Sequence, residues 1–251
     1  MMQVTNLRGR GGNMIAMYLP AAPEILEAFE QEVRELGGTV PDVYAEGDLL
    51  YARAVLPAAV EARPGDRIHG GVAVRTHDTE ILVHPYSYRV VCTNGAIAAF
   101  ATGSRVVERV EVAAPSTAIN AVLEELRAAI DAAAAPAALD ATVGAMRTAA
   151  QREADVMAQL MPLLPHMPPG MRASLVRTIV RRFETERDGS VLGLVNAVTS
   201  VARDTTDPET RWRLEELGGG MLAHLPERAK PMAPMLAAVE SAHVTAQPAS
   251  R

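Results

Sequence analysis

One cysteine, one lysine, one tryptophan and three phenylalanines are all that the 251 residues hold of those types. A lone Cys92 cannot close an internal disulfide, so a reducing cytoplasm is the expected compartment. No apolar run approaches the ~20 residues that span a bilayer. The opening MMQVTNLRGRGG lacks the apolar core of a secretory signal, so no membrane partner is expected. Six histidines are present, at 69, 77, 84, 166, 224 and 243. None falls in H-x-x-x-H or H-E-x-x-H, and with no cysteine pair no zinc spacing exists. G-x-S-x-G, the local signature of a serine nucleophile, is missing as well. Glycines gather in RGRGG, HGG and LGGGM, but none of these leads from a strand into a helix N-terminus as a phosphate loop must. A flexible tail and a helix stop are the readings for the first and last. No metal or cofactor is implied.

What the chain has is arginine and a mild acidic excess. The formal net charge is -6, and 23 of the 24 basic residues are arginine. Residues 1–113 carry 10 basic and 14 acidic side chains, and residues 114–251 carry 14 and 16. Neither half has the basic balance of many nucleic-acid binders. A planar, bidentate guanidinium nevertheless suits phosphate contacts even in an acidic protein.

Periodicity divides the chain into strands first and helices afterwards, which predicts an α+β fold. NMIAMYLP reads as a short strand ending at Pro20. EILEAFEQEVRELGG reads as a helix, with apolar Ile25, Leu26, Phe29, Val33 and Leu36 at helical spacing and Gly37-Gly38 as its stop. DLLYARAVLP alternates and closes at Pro57; Pro64-Gly65 turns the chain into Asp66–Val74, a strand expected to bulge at Gly70-Gly71. His77-Asp78-Thr79 is a hairpin loop, and Pro85 interrupts the next run or places it at a sheet edge. A small antiparallel sheet of three or four strands is the economical solution.

From Pro115 the chain becomes helical. AINAVLEELRAAIDAAAA begins at Ser116 or Thr117 as N-cap and stops at Pro136. LDATVGAMRTAAQREADVMAQLMPLL reads as one long helix. MRASLVRTIVRRFETER buries a stripe of Leu175, Val176, Ile179, Val180 and Phe183. SVLGLVNAVTSVARDT is apolar enough to be central. A last helix opens on Asp207-Pro208-Glu209 and runs to the glycines at 218–220. The expected organisation is a sheet domain over 1–113, a helical region over 114–225 packed on it, and a weakly ordered tail over 226–251.

Cys92 lacks a neighbouring base, and Asn94-Gly95 suits a turn with positive φ. The thiol is therefore expected to be buried at a strand end. Trp212, flanked by Arg211 and Arg213, fits either a base-stacking platform or a packing anchor.

Two blocks carry a family resemblance. R-V-V-C-T-N-G (89–95), preceded by G-D-R-I-H-G-G-V-A-V (65–74), and L-V-N-A-V-T (194–199) resemble the phage/plasmid-like family catalogued as domain of unknown function 932. The resemblance spans roughly residues 45–225 and leaves the N-terminal forty residues and the tail unmatched. It implies that Cys92, Thr93, Asn94 and Gly95 end a sheet and that Asn196 and Thr199 sit in a later helix core. It brings no established activity, but phage and plasmid proteins make DNA metabolism the natural expectation. The helix–sheet–helix order is also similar, at the level of fold, to single-strand annealing proteins.

The functional expectation is a non-enzymatic, oligomeric protein that binds single-stranded DNA in annealing or recombination. Its phosphate contacts would be Arg67, Arg75 and Arg89 on the sheet, with Arg177 and Arg181 from the helical half. A structural protein that assembles through its helices, without nucleic acid, is the alternative. An enzyme using Cys92, Asn94 and a histidine is the third reading.

Overall fold

The computed structural model describes residues 3–8, 14–77, 80–90, 94–98, 103–108, 110–111, 115–166, 170 and 172–223. Cys92, Thr93 and the expected tail at 226–251 lie outside them. The fold is α+β: a helix and antiparallel strands come first, and the C-terminal half is mostly helical. Two compact units emerge. Of the described residues, one unit holds those up to Val90 together with those from Ile97 to Val143, and the other holds 94–96 and those from Gly144 to Ala223, so the division falls inside a helix. No described helix is long and apolar enough to cross a membrane.

The first unit begins with β1 (Gln3–Arg8) and β2 (Met14–Leu19), which pair antiparallel. Helix α1 (Ala22–Glu35) follows. The main sheet is then built from β3 (Thr39–Glu46), β4 (Leu49–Arg63), β5 (Asp66–His77), β6 (Glu80–Arg89), β7 (Asn94–Ile97) and β8 (Arg105–Glu108). Its order is β3–β4–β5–β6–β7, with β8 also on β6, where it covers Glu80–Val83. A short β9 (Val110–Glu111) adds to β2, completing a separate three-stranded sheet. Helix α2 (Pro115–Ala134) closes the layer. The change of composition at Pro115 marks a change of element type, and α2 still belongs with the sheet. Pro115 itself is the first helical residue, so Ser116 and Thr117 lie in the first turn and not at the cap.

Alternation decides which face of the sheet is covered. Leu50, Ala52 and Ala54 on β4, Val72 and Val74 on β5, Ile81 and Val83 on β6 and Val107 on β8 share one face. They pack on Ile25, Phe29 and Val33 of α1 and Val122, Leu126 and Ile130 of α2, all fully or nearly fully buried. Each of the larger side chains contributes roughly 1.5–3 kcal/mol by leaving water.

The main sheet is larger than the three or four strands expected, and both prolines behave differently from expectation. β4 passes through Pro57 because the strand bulges there. Between the pairs Val55↔Gly71 and Ala59↔His69 it inserts Leu56, Pro57 and Ala58 opposite the single Gly70. The irregularity thus sits on β4, while β5 runs in unbroken register with β6 through both glycines. Gly71 has another reason: a Cβ there would stand 2.0 Å from the Ala54 carbonyl oxygen. Gly71→Ala is expected to destabilise the first unit by about 1–3 kcal/mol, because the clash is with backbone and must be relieved by moving a strand. Urea unfolding measures it. Pro85 lies inside β6. Its carbonyl accepts from Ala98 N–H at 2.9 Å, so in an antiparallel strand its nitrogen faces that same side and the ladder to β5 loses no donor.

The second unit holds the end of α3 (Pro136–Ala149), then α4 (Val156–Leu160), a 3₁₀ turn (Met161–His166), α5 (Arg172–Glu186), α6 (Val191–Arg203) and α7 (Pro208–Ala223). The single long helix expected over 139–164 is broken into three pieces. Glu153 bridges to Ser190, Ala154 N–H donates to the Gly189 carbonyl, and Val191 N–H donates to the Arg152 carbonyl. This strand-like contact satisfies the backbone that a continuous helix would have paired internally, and Asp155 then caps α4 by accepting from Ala158 N–H at 3.0 Å.

Helix α5 buries the stripe Leu175, Val176, Ile179, Val180 and Phe183. Helix α6 is buried from Val191 to Ala202 and packs between α5 and α7. Helix α7 starts as expected, with Asp207 accepting from Thr210 N–H at 2.8 Å, but it does not stop at the glycines. It continues through Gly218–Gly220 to Ala223. A Cβ on Gly218 would lie 2.7 Å from Cγ2 of Thr199. Close packing of α7 on α6 therefore offsets the ~1 kcal/mol that a helical glycine costs at Gly218, whereas a Cβ on Gly220 would meet nothing within 4 Å.

Candidate nucleic-acid interface

The two sequence blocks that end β6 and begin β5 are joined by an ion pair. Asp66 opens β5 and Arg89 closes β6; the register sets Ile68 opposite Arg89, which places Asp66 diagonally across on the same face. Arg89 Nε donates to Asp66 Oδ1 at 2.5 Å, with side chains 16% and 8% exposed. The same strand end is tied by Val90 N–H donating to the Arg67 carbonyl and by His69 Nδ1 at 3.0 Å from the Leu56 carbonyl. The arginine and aspartate of these blocks thus hold a sheet corner. Asn94 and Gly95 belong to β7, with Gly95 buried.

The sheet does not gather the three arginines expected to act together. Arg67 and Arg75 have the same parity on β5 and share the face away from α1 and α2, whereas Arg89 lies on the other. Arg67 is exposed, and Arg75 is 7% exposed. Eight residues separate them, roughly 27 Å along the strand. Arg75 belongs instead to a buried polar group that sequence reading missed. On that same face Arg53, Ala73 and His84 form one cross-strand row, with Arg75 diagonal to it. Arg53 and His84 are 3% and 7% exposed, and Arg53 Nη1 donates to Asp42 at 2.8 Å. Burial, and secondarily the charge of Arg75, lower the His84 pKa to about 4, so at neutral pH the imidazole is uncharged. No pattern in one strand signals this group, because Arg53, Arg75 and His84 lie on three different strands and meet only through register.

A cleft on the helix-facing side of the sheet is lined by Gly70, Pro85, Ser87, Ala135, Leu139 and Thr142, among others. Its cavity volume is about 20 Å³, room for one water against the ~300 Å³ at which small-molecule sites begin. It is not a substrate site. No group of three or more His, Cys, Asp or Glu among the described residues is placed to hold a metal.

In the second unit, Asn196 and Thr199 are buried, and the Thr199 hydroxyl donates back to the Val195 carbonyl at 2.9 Å. Both are packing residues of α6. Trp212 is fully buried, Arg211 reaches Glu215 at 3.3 Å, and Arg213 pairs with Glu209. This cluster is the packing anchor of the two readings, since a buried indole cannot stack on a base.

The solvent face of α5 is different. Ser174, Arg177, Thr178, Arg181, Glu184 and Thr185 are exposed and recur at helical spacing opposite the buried stripe. Thr178 and Thr185 turn their hydroxyls onto the Ser174 and Arg181 carbonyls at 2.9 and 2.7 Å. Arg182 is engaged by Asp204 at 2.7 Å, and Arg172 donates to the Pro165 carbonyl. The guanidinium groups of Arg177 and Arg181, one turn apart, make no ion pair or hydrogen bond among the described residues. Two like charges at this spacing repel by a few tenths of a kcal/mol, and Glu184 on the same face offsets only part of that charge without pairing with either.

No family model, no characterised protein and no solved structure matches the chain.

Proposed function

We propose that this is a non-enzymatic DNA-binding protein that takes the phosphate backbone of single-stranded DNA on the outer face of α5, with Arg177 and Arg181 as the contacts. The observation that carries this reading is the pair of exposed arginines one turn apart on α5, neither side chain held by an acid. Several other arginines meet acids, Arg53 with Asp42, Arg89 with Asp66 and Arg182 with Asp204, while Arg34 and Arg67 are each the single exposed arginine of their element. A chain of net charge -6 has acids to spare, yet α5 leaves this pair open to solvent, the arrangement a diffusible anion can complete. Acids concentrate on α1 and α2 of the first unit, where Glu24, Glu27, Glu30, Glu35, Glu124 and Glu125 face water. The opposing charge thus lies mainly on other elements. The resemblance in R-V-V-C-T-N-G and N-A-V-T to phage and plasmid proteins points to DNA as the source of the phosphates. Two arginines make a weak contact, so the proposed working form is a multimer that lays several α5 faces along one strand and gains affinity by multivalency.

Anisotropy of a labelled single-stranded oligonucleotide tests the reading at ~50 mM salt, where phosphate-driven binding is strongest. Binding is expected, and the double variant Arg177→Ala/Arg181→Ala is expected to weaken it by about a hundredfold, each charged hydrogen bond contributing ~1.5 kcal/mol. Both positions are exposed, so the fold is expected to survive. Absence of binding by the parent protein, or equal binding by the variant, overturns the proposal. Light scattering tests the multimer separately.

A further inference from the structure

Strand β3 ends the main sheet, and its outer edge has no neighbouring strand among the described residues. Which of its groups face that edge follows from the hairpin. The pairs Glu46↔Leu49, Ala45↔Leu50, Tyr44↔Tyr51 and Val43↔Ala52 close on a two-residue loop with Gly47 at its first central position and φ of 60°. Leu50 N–H donates to Thr76 Oγ1 of β5 at 2.9 Å. Leu50 therefore points its amide away from β3, Ala45↔Leu50 is a non-hydrogen-bonded pair, and Ala45 directs its own N–H and C=O outward. By alternation Val43 does the same. The chain thus offers four main-chain groups on one short edge. It is bounded by Pro41 and a register irregularity between Thr39 and Asp42 on one side and by the Gly47 turn on the other.

The side chains around this edge are both apolar and acidic. Val43, Tyr44 and Leu49 are 40%, 37% and 48% exposed, three of the six large hydrophobic residues that face water among those described. Tyr44 packs edge-on to Tyr51 at 6.2 Å and shares its face with Asp42 and Glu46. Asp48 sits in the turn. From Thr39 to Leu49 there is no basic residue, and Arg53, the cation nearest in the hairpin, is buried against Asp42.

We propose that the β3 edge docks an extended, basic peptide segment of another protein, which adds a strand to the sheet. Charge complementarity selects that occupant. A strand hydrogen-bonded to Val43 and Ala45 sets alternate side chains beside Asp42, Tyr44 and Glu46 on one face, and beside Val43 and Ala45 on the other. The matching segment reads basic, small apolar, aromatic or large apolar, small apolar, basic. Two copies of β3 paired about a two-fold on Tyr44 would instead set Asp42 against Glu46, which like-charge repulsion disfavours.

The probe is a fluorescent heptapeptide of sequence TRVYVRT, compared with its acidic counterpart TEVYVET, titrated with the full chain at low salt. The basic peptide is expected to bind at least tenfold more tightly and to slow amide exchange at Val43 and Ala45. Ala45→Pro removes the outward donor while sparing the β4 ladder, a substitution sheet edges accept, and is expected to abolish binding with the circular dichroism unchanged. Glu46→Arg, which leaves Asp42 facing one flank and a cation facing the other, is expected to remove most of the preference between the two peptides. Equal binding of the two peptides, or full binding by Ala45→Pro, overturns the proposal. So does self-association that Ala45→Pro abolishes, which would make the occupant a second copy.

Discussion

Arg89→Ala is expected to cost about 3 kcal/mol of folding stability and to leave affinity for single-stranded DNA unchanged. Arg89 Nε and Asp66 Oδ1 lie 2.5 Å apart, and both side chains are largely withdrawn from solvent. Removing one partner of a buried pair leaves the other charge stranded, which typically costs 3–5 kcal/mol; the lower end applies because Arg89 keeps some exposure. Asp66 has further cause to suffer, since its Oδ2 is buried without a hydrogen bond. Asp66→Ala/Arg89→Ala should recover part of the loss, because the double variant strands no charge, and the four-way cycle in urea isolates the coupling. A phosphate-binding Arg89 behaves in the opposite way, with little lost stability and weaker DNA binding. The single variant therefore separates a corner clamp from a contact residue.

The second large effect is a loss of stability in acid that runs through His84. Its imidazole titrates near 6.5 in the unfolded chain and near 4 in the folded one, because burial and then Arg75 disfavour the imidazolium. Between those values the unfolded state binds more protons, so stability rises with pH. It is intact above pH 6.5, declines as pH falls, and by pH 4 most of the contribution is gone. At about 1.4 kcal/mol per pH unit the whole window is worth about 3 kcal/mol. Glu32 acts in the opposite sense. Burial first, then Asp131 and Glu35, raise its carboxyl above the ordinary range against the pull of Arg127, so acid favours the folded state at that residue. The comparison that isolates His84 is urea unfolding of the parent chain and His84→Gln across pH 4–7. The variant is expected to show a shallower acid decline; parallel curves would mean that His84 does not carry the effect.

Much of the fold is legible in local sequence because its causes are local. The α5 stripe repeats at helical spacing, α6 is mostly apolar, and Asp207-Pro208-Glu209 announces α7. What escaped reading is set by contacts distant in sequence. β3 carries Pro41 and two acids and so looks like a loop, yet it pairs with β4 and forms the sheet edge. Pro57 reads as a stop until the bulge opposite Gly70 makes room for it. Glycines 218–220 read as a terminus until the proximity of Thr199 explains the first of them. The arginines show the same limit. Composition presents Arg67, Arg75, Arg89, Arg177 and Arg181 as equals. Strand register buries Arg75 and commits Arg89, while helical spacing correctly puts Arg177 and Arg181 together.

The central claim is that the α5 pair meets phosphates, and the salt dependence of binding tests it most directly. Each phosphate contact on a single strand releases about 0.7 of a counterion. For a one-to-one complex with a short oligonucleotide, the slope of log affinity against log salt should become shallower by about 1.4 in Arg177→Ala/Arg181→Ala than in the parent chain. An unchanged slope would place the phosphates elsewhere and contradict the account.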